Sequence, residues 1–165
     1  MQPRSLLKSN RAAIVVAGLS GLLTVVNLAS AQNWTQTTAP TNEFWRAVAT
    51  SADGGKIVAA GLGGIQLSTN SGATWTLTSA PVGQPWSSIA SSADGHILVA
   101  GVDGGLIYIS INGGATWKSS DALSNSWQGV ACSADGIRLV AVYGMPFSTG
   151  GVYTSTNAGA NWIVS

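Results

Sequence analysis

From Gln32 onward the chain alternates short β-rich apolar runs with clusters of Gly, Asp, Asn and Ser. The runs are too short for helices, and the clusters between them are strand-turn punctuation. A first run, Trp45-Arg46-Ala47-Val48-Ala49-Thr50, meets the turn Ser51-Ala52-Asp53-Gly54. A second, Lys56 to Ala60, ends in glycines 61, 63 and 64. A third, Ile65 to Ser68, turns and returns through Thr74-Trp75-Thr76-Leu77-Thr78. The same order recurs from Trp86 and again from Trp127. All seven tryptophans follow it, in one register at 34, 75, 117 and 162 and in another at 45, 86 and 127. A unit of about 41 residues holding four strand-like runs has the size of a propeller blade.

This pattern predicts an all-β chain of β-propeller type. Labelling the strands of a unit a to d, Asn33 to Thr38 matches the run around Trp75 and reads as an orphan d strand. Three complete units follow over residues 45–85, 86–126 and 127–165, so that 32–165 is a partial propeller. In a four-stranded antiparallel meander the a–b and c–d turns share one face, and the b–c and d–a connections share the other.

Two turn motifs recur. Ser-Ala-Asp-Gly joins a to b, and there Asp53, Asp94 and Asp135 are expected to close the turn through their carboxylates while Gly takes positive φ. The c–d turn reads Ser68-Thr69-Asn70-Ser71-Gly72-Ala73-Thr74-Trp75. It returns with Asn112, Gly114 and Trp117, and with Asn157, Gly159 and Trp162. These three copies resemble the Asp-box, or bacterial neuraminidase repeat, Ser-x-Asp-x-Gly-x-Thr-Trp. That repeat is found in sialidases, xyloglucanase-type glycosidases and photosystem II assembly-factor-like propellers. All three copies carry Asn where the family usually has Asp. Asn keeps the carbonyl that bonds turn amides and loses the charge, so the motif is expected to act structurally and to hold no calcium.

Composition changes the picture at the N-terminus. Arg4, Lys8 and Arg11 precede the apolar run Ala12 to Leu28, and Ala29-Ser30-Ala31 offers a small-x-small cleavage site. Residues 1–31 thus read as a signal peptide, and the chain as secreted, periplasmic or extracellular, with no membrane association after cleavage. From Gln32 the chain keeps four Lys/Arg against six Asp/Glu, a net charge of −2. No basic patch is available to neutralise phosphates, which argues against nucleic acid. Cys132 is the only cysteine, excluding an intrachain disulfide, and aligns with Thr50 and Ser91 as a strand residue. His96 is the only histidine and falls at a turn, so no metal cluster or cofactor site is expected.

The near-identical turns populate one face, and nearly all the variation falls on the b–c and d–a face. Variable loops on a rigid scaffold are where binding is normally placed. Candidate ligand residues are Glu43, Asp121 and Asp103 in the connections, Arg46 at the start of a strand, and Tyr143 and Phe147 around the longest b–c segment. Trp45, Trp86 and Trp127 open the a strands beside these loops and are candidates for both packing and ligand contact. A glycosidase needs two carboxylates flanking the bond, and the only three outside the a–b turns come from different units. The resemblance to sialidases implies a three-arginine clamp and an Arg-Ile-Pro motif. Only Arg46 and Arg138 follow Gln32, and the motif is absent. The expectation is a non-catalytic binding or scaffold module for glycan or extracellular protein. The alternative is a fragment or subunit of an exo-acting glycoside hydrolase. Propellers close with four to eight blades, so three blades imply a longer parent or a homo-oligomer that pools them.

Overall fold

The computed structural model describes residues 35–41, 43–144 and 149–165, and all of these except Thr35 belong to one compact unit, Gln36–Ser165. The expected signal peptide 1–31, Asn33 and Trp34 of the expected orphan strand, and Phe147 lie outside the described residues.

Each sequence unit folds as an antiparallel meander of four strands. The first blade is β1 (Trp45–Thr50), β2 (Ile57–Gly61), β3 (Gly64–Ser68) and β4 (Thr76–Leu77), hydrogen-bonded in that order. The second is β5 (Trp86–Ser91), β6 (Leu98–Gly105), β7 (Ile107–Ser110) and β8 (Lys118–Ser119). The third is β9 (Asn125–Cys132), β10 (Leu139–Tyr143), β11 (Gly151–Ser155) and β12 (Ile163–Val164). The inner strand of every blade carries a β-bulge just after its tryptophan, at Trp45/Ala47 and Trp86/Ser88, and opposite Val142/Tyr143 in the third blade. The bulged residues are therefore Arg46, Ser87 and Gln128.

Two features depart from the sequence reading. β6 runs on to Gly105 and pairs with the start of β9, Asp103 opposite Ser126 and Gly105 opposite Asn125, which stitches the second and third blades into one sheet. Asp103 thus sits on a strand rather than in a loop. Residues 35–38 of the expected orphan strand form no ladder with any described strand. A d strand needs the c strand of its own blade, and no described residues supply one. Thr38 nevertheless occupies the lane of a d strand, its Oγ1 donating to the Ala73 carbonyl at 2.8 Å, as Ser79 Oγ does to the Ala115 carbonyl at 2.9 Å.

The two faces separate as the meander requires. On one, the c–d turn is tied to the a–b turn in every blade: Ser71 N–H to Gly55 carbonyl, Gly113 to His96, and Ala158 to Ile137, all at 2.8–3.0 Å. The a–b turns of successive blades are also chained together, Ala52 N–H to Ala93 carbonyl at 2.8 Å and Ala93 N–H to Ala134 carbonyl at 2.9 Å. On the other face, Gly83 N–H reaches the Leu62 carbonyl and Asp103 N–H the Pro85 carbonyl, so b–c and d–a connections lie side by side.

The core lies between blades. Period-two alternation gives each blade a front and a back. The front of the second blade carries Trp86, Ile89, Leu98, Ala100, Tyr108 and Trp117, and packs on Ala47, Ala49, Val58, Ala60 and Ile65 from the back of the first. The next joint repeats this, with Trp127, Val130, Leu139, Ala141 and Tyr153 of the third blade against Val99, Ile107 and Ile109 of the second. At both joints large aromatic residues on one front meet small and branched ones on the neighbouring back, which lets the sheets interdigitate at native density. Trp86 meets Tyr108 edge-on with ring centroids 5.4 Å apart, and Trp127 meets Tyr153 likewise at 5.3 Å.

Candidate functional site

The repeated polar residues of the turns are consumed by the turns. Ser51 Oγ donates to Asp53 Oδ1 at 2.6 Å and accepts from Lys56 N–H at 2.9 Å, while the same carboxylate accepts from Gly55 N–H. Asp94 and Asp135 repeat this with Ser92 and His96 N–H, and with Ser133 and Ile137 N–H. The serine hydroxyl and then the backbone amide hold all three carboxyls below the usual carboxylate range.

The Asn-bearing turn closes by a second circuit. Ser68 Oγ accepts from Gly72 N–H at 2.8 Å and donates to Asn70 Oδ1, which also accepts from Thr74 N–H. Asn112 with Ser110, and Asn157 with Ser155, do the same. Asn70 and Asn112 spend their Nδ2 on Thr74 and Thr116 hydroxyls, which gives the amide a use that a carboxylate lacks. Gly72, Gly114 and Gly159 sit at φ of 88°, 90° and 80°, the left-handed region the turn demands. Trp75 lies over its turn, Nε1 donating to the Gly72 carbonyl at 3.1 Å.

The connection face holds the residues that do not repeat. Glu43 reaches across from the first connection, its carboxylate accepting from Gly63 N–H at 2.8 Å. A Cβ on Gly63 would fall 2.0 Å from Glu43 Oε1, so a side chain there would displace the carboxylate from the amide. Asp103 accepts from Ser126 Oγ across the β6–β9 stitch. Asp121 is exposed, and no hydrogen bond of its side chain occurs among the described residues. Glu43 therefore pins a connection and Asp103 the β6–β9 stitch.

Trp86 and Trp127 are both 0% exposed, sealed between blades, and have no surface to offer a ligand. Trp127 Nε1 donates to the Gly105 carbonyl at 3.1 Å. Trp45 alone of that register remains accessible, at 37%, with its Nε1 on the Pro40 carbonyl at 3.2 Å. It lines a groove of about 620 Å³ between the front of the first blade (Arg46, Val48, Ala59 and Trp75) and the preceding segment Gln36–Thr41. Tyr143 is half-buried, edge-on to Trp127 and Tyr153. Cys132 lies half-buried between the second and third blades, and burial raises its thiol pKa, which suits an inert strand residue.

Sequence reasoning missed two sets of residues on this face. Ser87 and Gln128 share the bulge position of Arg46, and a bulge re-aims a side chain; their signal was a position that varies within an otherwise constant strand. Phe44, Leu62, Val82 and Leu123 are apolar yet 45–74% exposed, all in b–c or d–a connections. An apolar residue breaking a polar turn was the available sign. Among the described residues, no group of three or more His, Cys, Asp or Glu converges as metal ligands.

No protein-family model matches the chain, and neither does any curated protein. Solved structures do. The chain superposes on the GH74 enzyme of Niastella koreensis with 26% identity and a TM-score of 0.59, covering 73% of this chain and 18% of that one. It superposes on YCF48 from Cyanidioschyzon merolae (20% identity, TM-score 0.60, 79% and 39% covered) and on YCF48 bound to D1 peptide (17%, 0.59, 76% and 42%). These are propeller folds. The three blades are propeller blades. The chain spans less than half the length of each of these relatives, and under a fifth of the GH74 enzyme.

Proposed function

We propose that this chain is an exported, non-catalytic propeller module that binds a protein segment through the face built by its b–c and d–a connections. The observation that carries the reading is the exposed apolar set Phe44, Leu62, Val82 and Leu123 on that face, beside the bulged polar residues Arg46, Ser87 and Gln128. Ser87 Oγ already donates to the Gly101 carbonyl and Gln128 Nε2 to Ser126, so the donor offered beside the apolar anchors is the Arg46 guanidinium; such a set suits an extended peptide, whose carbonyls need donors and whose alternate side chains need pockets. Support comes from the structural relative held with a D1 peptide. Export rests on the N-terminal segment 1–31, and the carboxylates that pin connections speak for a scaffold.

The test is binding of the purified chain to a random peptide array and to a glycan array. Peptide binding weakened about tenfold or more by Leu123→Asp or Arg46→Ala, with the melting temperature kept, is the expected result. Binding indifferent to both substitutions sinks the proposal, and selective glycan binding would move the ligand to the other class. A second reading, part of a glycoside hydrolase, draws on the likeness to the GH74 enzyme. It requires turnover of a xyloglucan oligosaccharide that disappears with Asp103→Asn or Asp121→Asn.

A further inference from the structure

The three c–d turns share one hydrogen-bond circuit and differ at the residue that follows the asparagine. Asn70 precedes Ser71, Asn157 precedes Ala158, and Asn112 precedes Gly113. All three asparagines are exposed, and all three followers are left-handed, at φ of 57°, 53° and 66°. An Asn-Gly pair has a chemistry of its own. The amide nitrogen of the following residue can close on the asparagine Cγ to form a five-membered imide. A side chain on that residue obstructs the approach, and glycine has none. The surroundings add little hindrance, since a Cβ built on Gly113 meets only the Gly95 carbonyl oxygen, at 3.4 Å.

The fold restrains both partners of this ring closure. Gly113 N–H, the nucleophile, donates to the His96 carbonyl at 2.8 Å. Asn112 Oδ1 accepts from Ser110 Oγ at 3.0 Å and from Thr116 N–H at 2.9 Å, while its Nδ2 donates to Thr116 Oγ1 at 2.8 Å. An amide whose proton is held by a carbonyl is a poor nucleophile, and a carboxamide held through both its oxygen and its nitrogen is not free to turn. Ring closure therefore requires the c–d turn to lift from the a–b turn of its own blade, parting Gly113 from His96.

We propose that Asn112 is a site of spontaneous deamidation gated by that bond. Once the turn lifts, the Gly113 nitrogen bonds to Asn112 Cγ and the Cγ–Nδ2 bond breaks. Nδ2 leaves as ammonia, taking the proton of the Gly113 amide. Water then opens the imide on one side or the other. Cleavage at Cγ gives aspartate, and cleavage at the main-chain carbonyl carbon gives isoaspartate. The two products differ in consequence. Aspartate keeps the acceptor for Thr116 N–H, and the Thr116 hydroxyl turns to donate to the second oxygen, so the hairpin survives. Isoaspartate routes the main chain through Cβ and Cγ. It thereby adds one atom inside the turn and withdraws the side-chain oxygen that Ser110 and Thr116 share. The site lies on the turn face, so the proposal stands independently of what the connection face binds.

Peptide mass mapping after incubation in mildly alkaline water labelled with heavy oxygen tests it, since the label enters each product carboxylate. In the urea-unfolded chain, Asn112 should take up label about tenfold or more faster than Asn70 or Asn157, because only its follower lacks a side chain. Gly113→Ala should remove that advantage, and Ser71→Gly should create a second site at Asn70. Both comparisons are made in the unfolded chain and depend on no variant folding. Equal labelling of the three asparagines, or an inert Asn70 in Ser71→Gly, overturns the site. In the folded chain, labelling of Asn112 should slow by about tenfold or more and recover in mild denaturant together with hydrogen exchange of the Gly113 amide. A folded rate equal to the unfolded one, or labelling that stays constant while Gly113 exchange accelerates, overturns the gate.

Discussion

Asp94 sits at an exposed turn, yet its Oδ1 accepts from both the Ser92 hydroxyl and the His96 amide, and Asp53 and Asp135 are held alike. Because these bonds favour the ionised form, all three pKa values lie below that of the unfolded chain. The stability they contribute is then complete above the unfolded value, about pH 4, and is lost as pH falls through the folded values. The melting temperature should accordingly decline below about pH 4. The triple variant Asp53→Asn, Asp94→Asn, Asp135→Asn should flatten that decline, since an amide keeps the acceptor and cannot be protonated in this range. An acid limb equally steep in the variant would show that these turns are not its source. The role of these residues was legible in the sequence because it recurs three times in one context. Glu43 was not, since its bond to Gly63 joins residues twenty apart with no second copy to reveal it.

At the scale of the element, the c–d hairpin turns on a hydroxyl. Ser68 Oγ is buried, serves the buried Gly72 amide and positions Asn70. Ser68→Ala should leave that amide without a partner and destabilise the chain by about 1–3 kcal/mol. Thr69→Ala, at an exposed neighbouring site, should stay within about 0.5 kcal/mol. Urea titration of the two variants measures both, and equal midpoints would count against the hydroxyl as the pin. Strands were readable to within a residue or two wherever a run was both apolar and repeated, as from Ile57 to Gly61. Reading failed where pairing depends on a distant partner. The outward run of β6 exists because Ser126 and Asn125 of another blade lie beside it, and residues 35–38 lack the neighbour that would make them a strand.

For the whole molecule, the tryptophan spacing foretold the number of blades and their size, but not which tryptophans lie inside. Trp45, Trp86 and Trp127 are equivalent in sequence and differ in exposure because two have a blade in front of them and one does not. The turn-to-turn bonds of Ala52 and Ala93 turn this architecture into a measurement. Both side chains are exposed, so by surface alone their amides should exchange with solvent as fast as those of a free peptide. Each is instead bound to the next blade. Their hydrogen exchange should be slow, and in mild denaturant it should accelerate together, ahead of central-strand amides such as Val99, because parting two blades exposes them without unravelling either sheet. These two alanines then report the free energy of docking, separate from the free energy of folding.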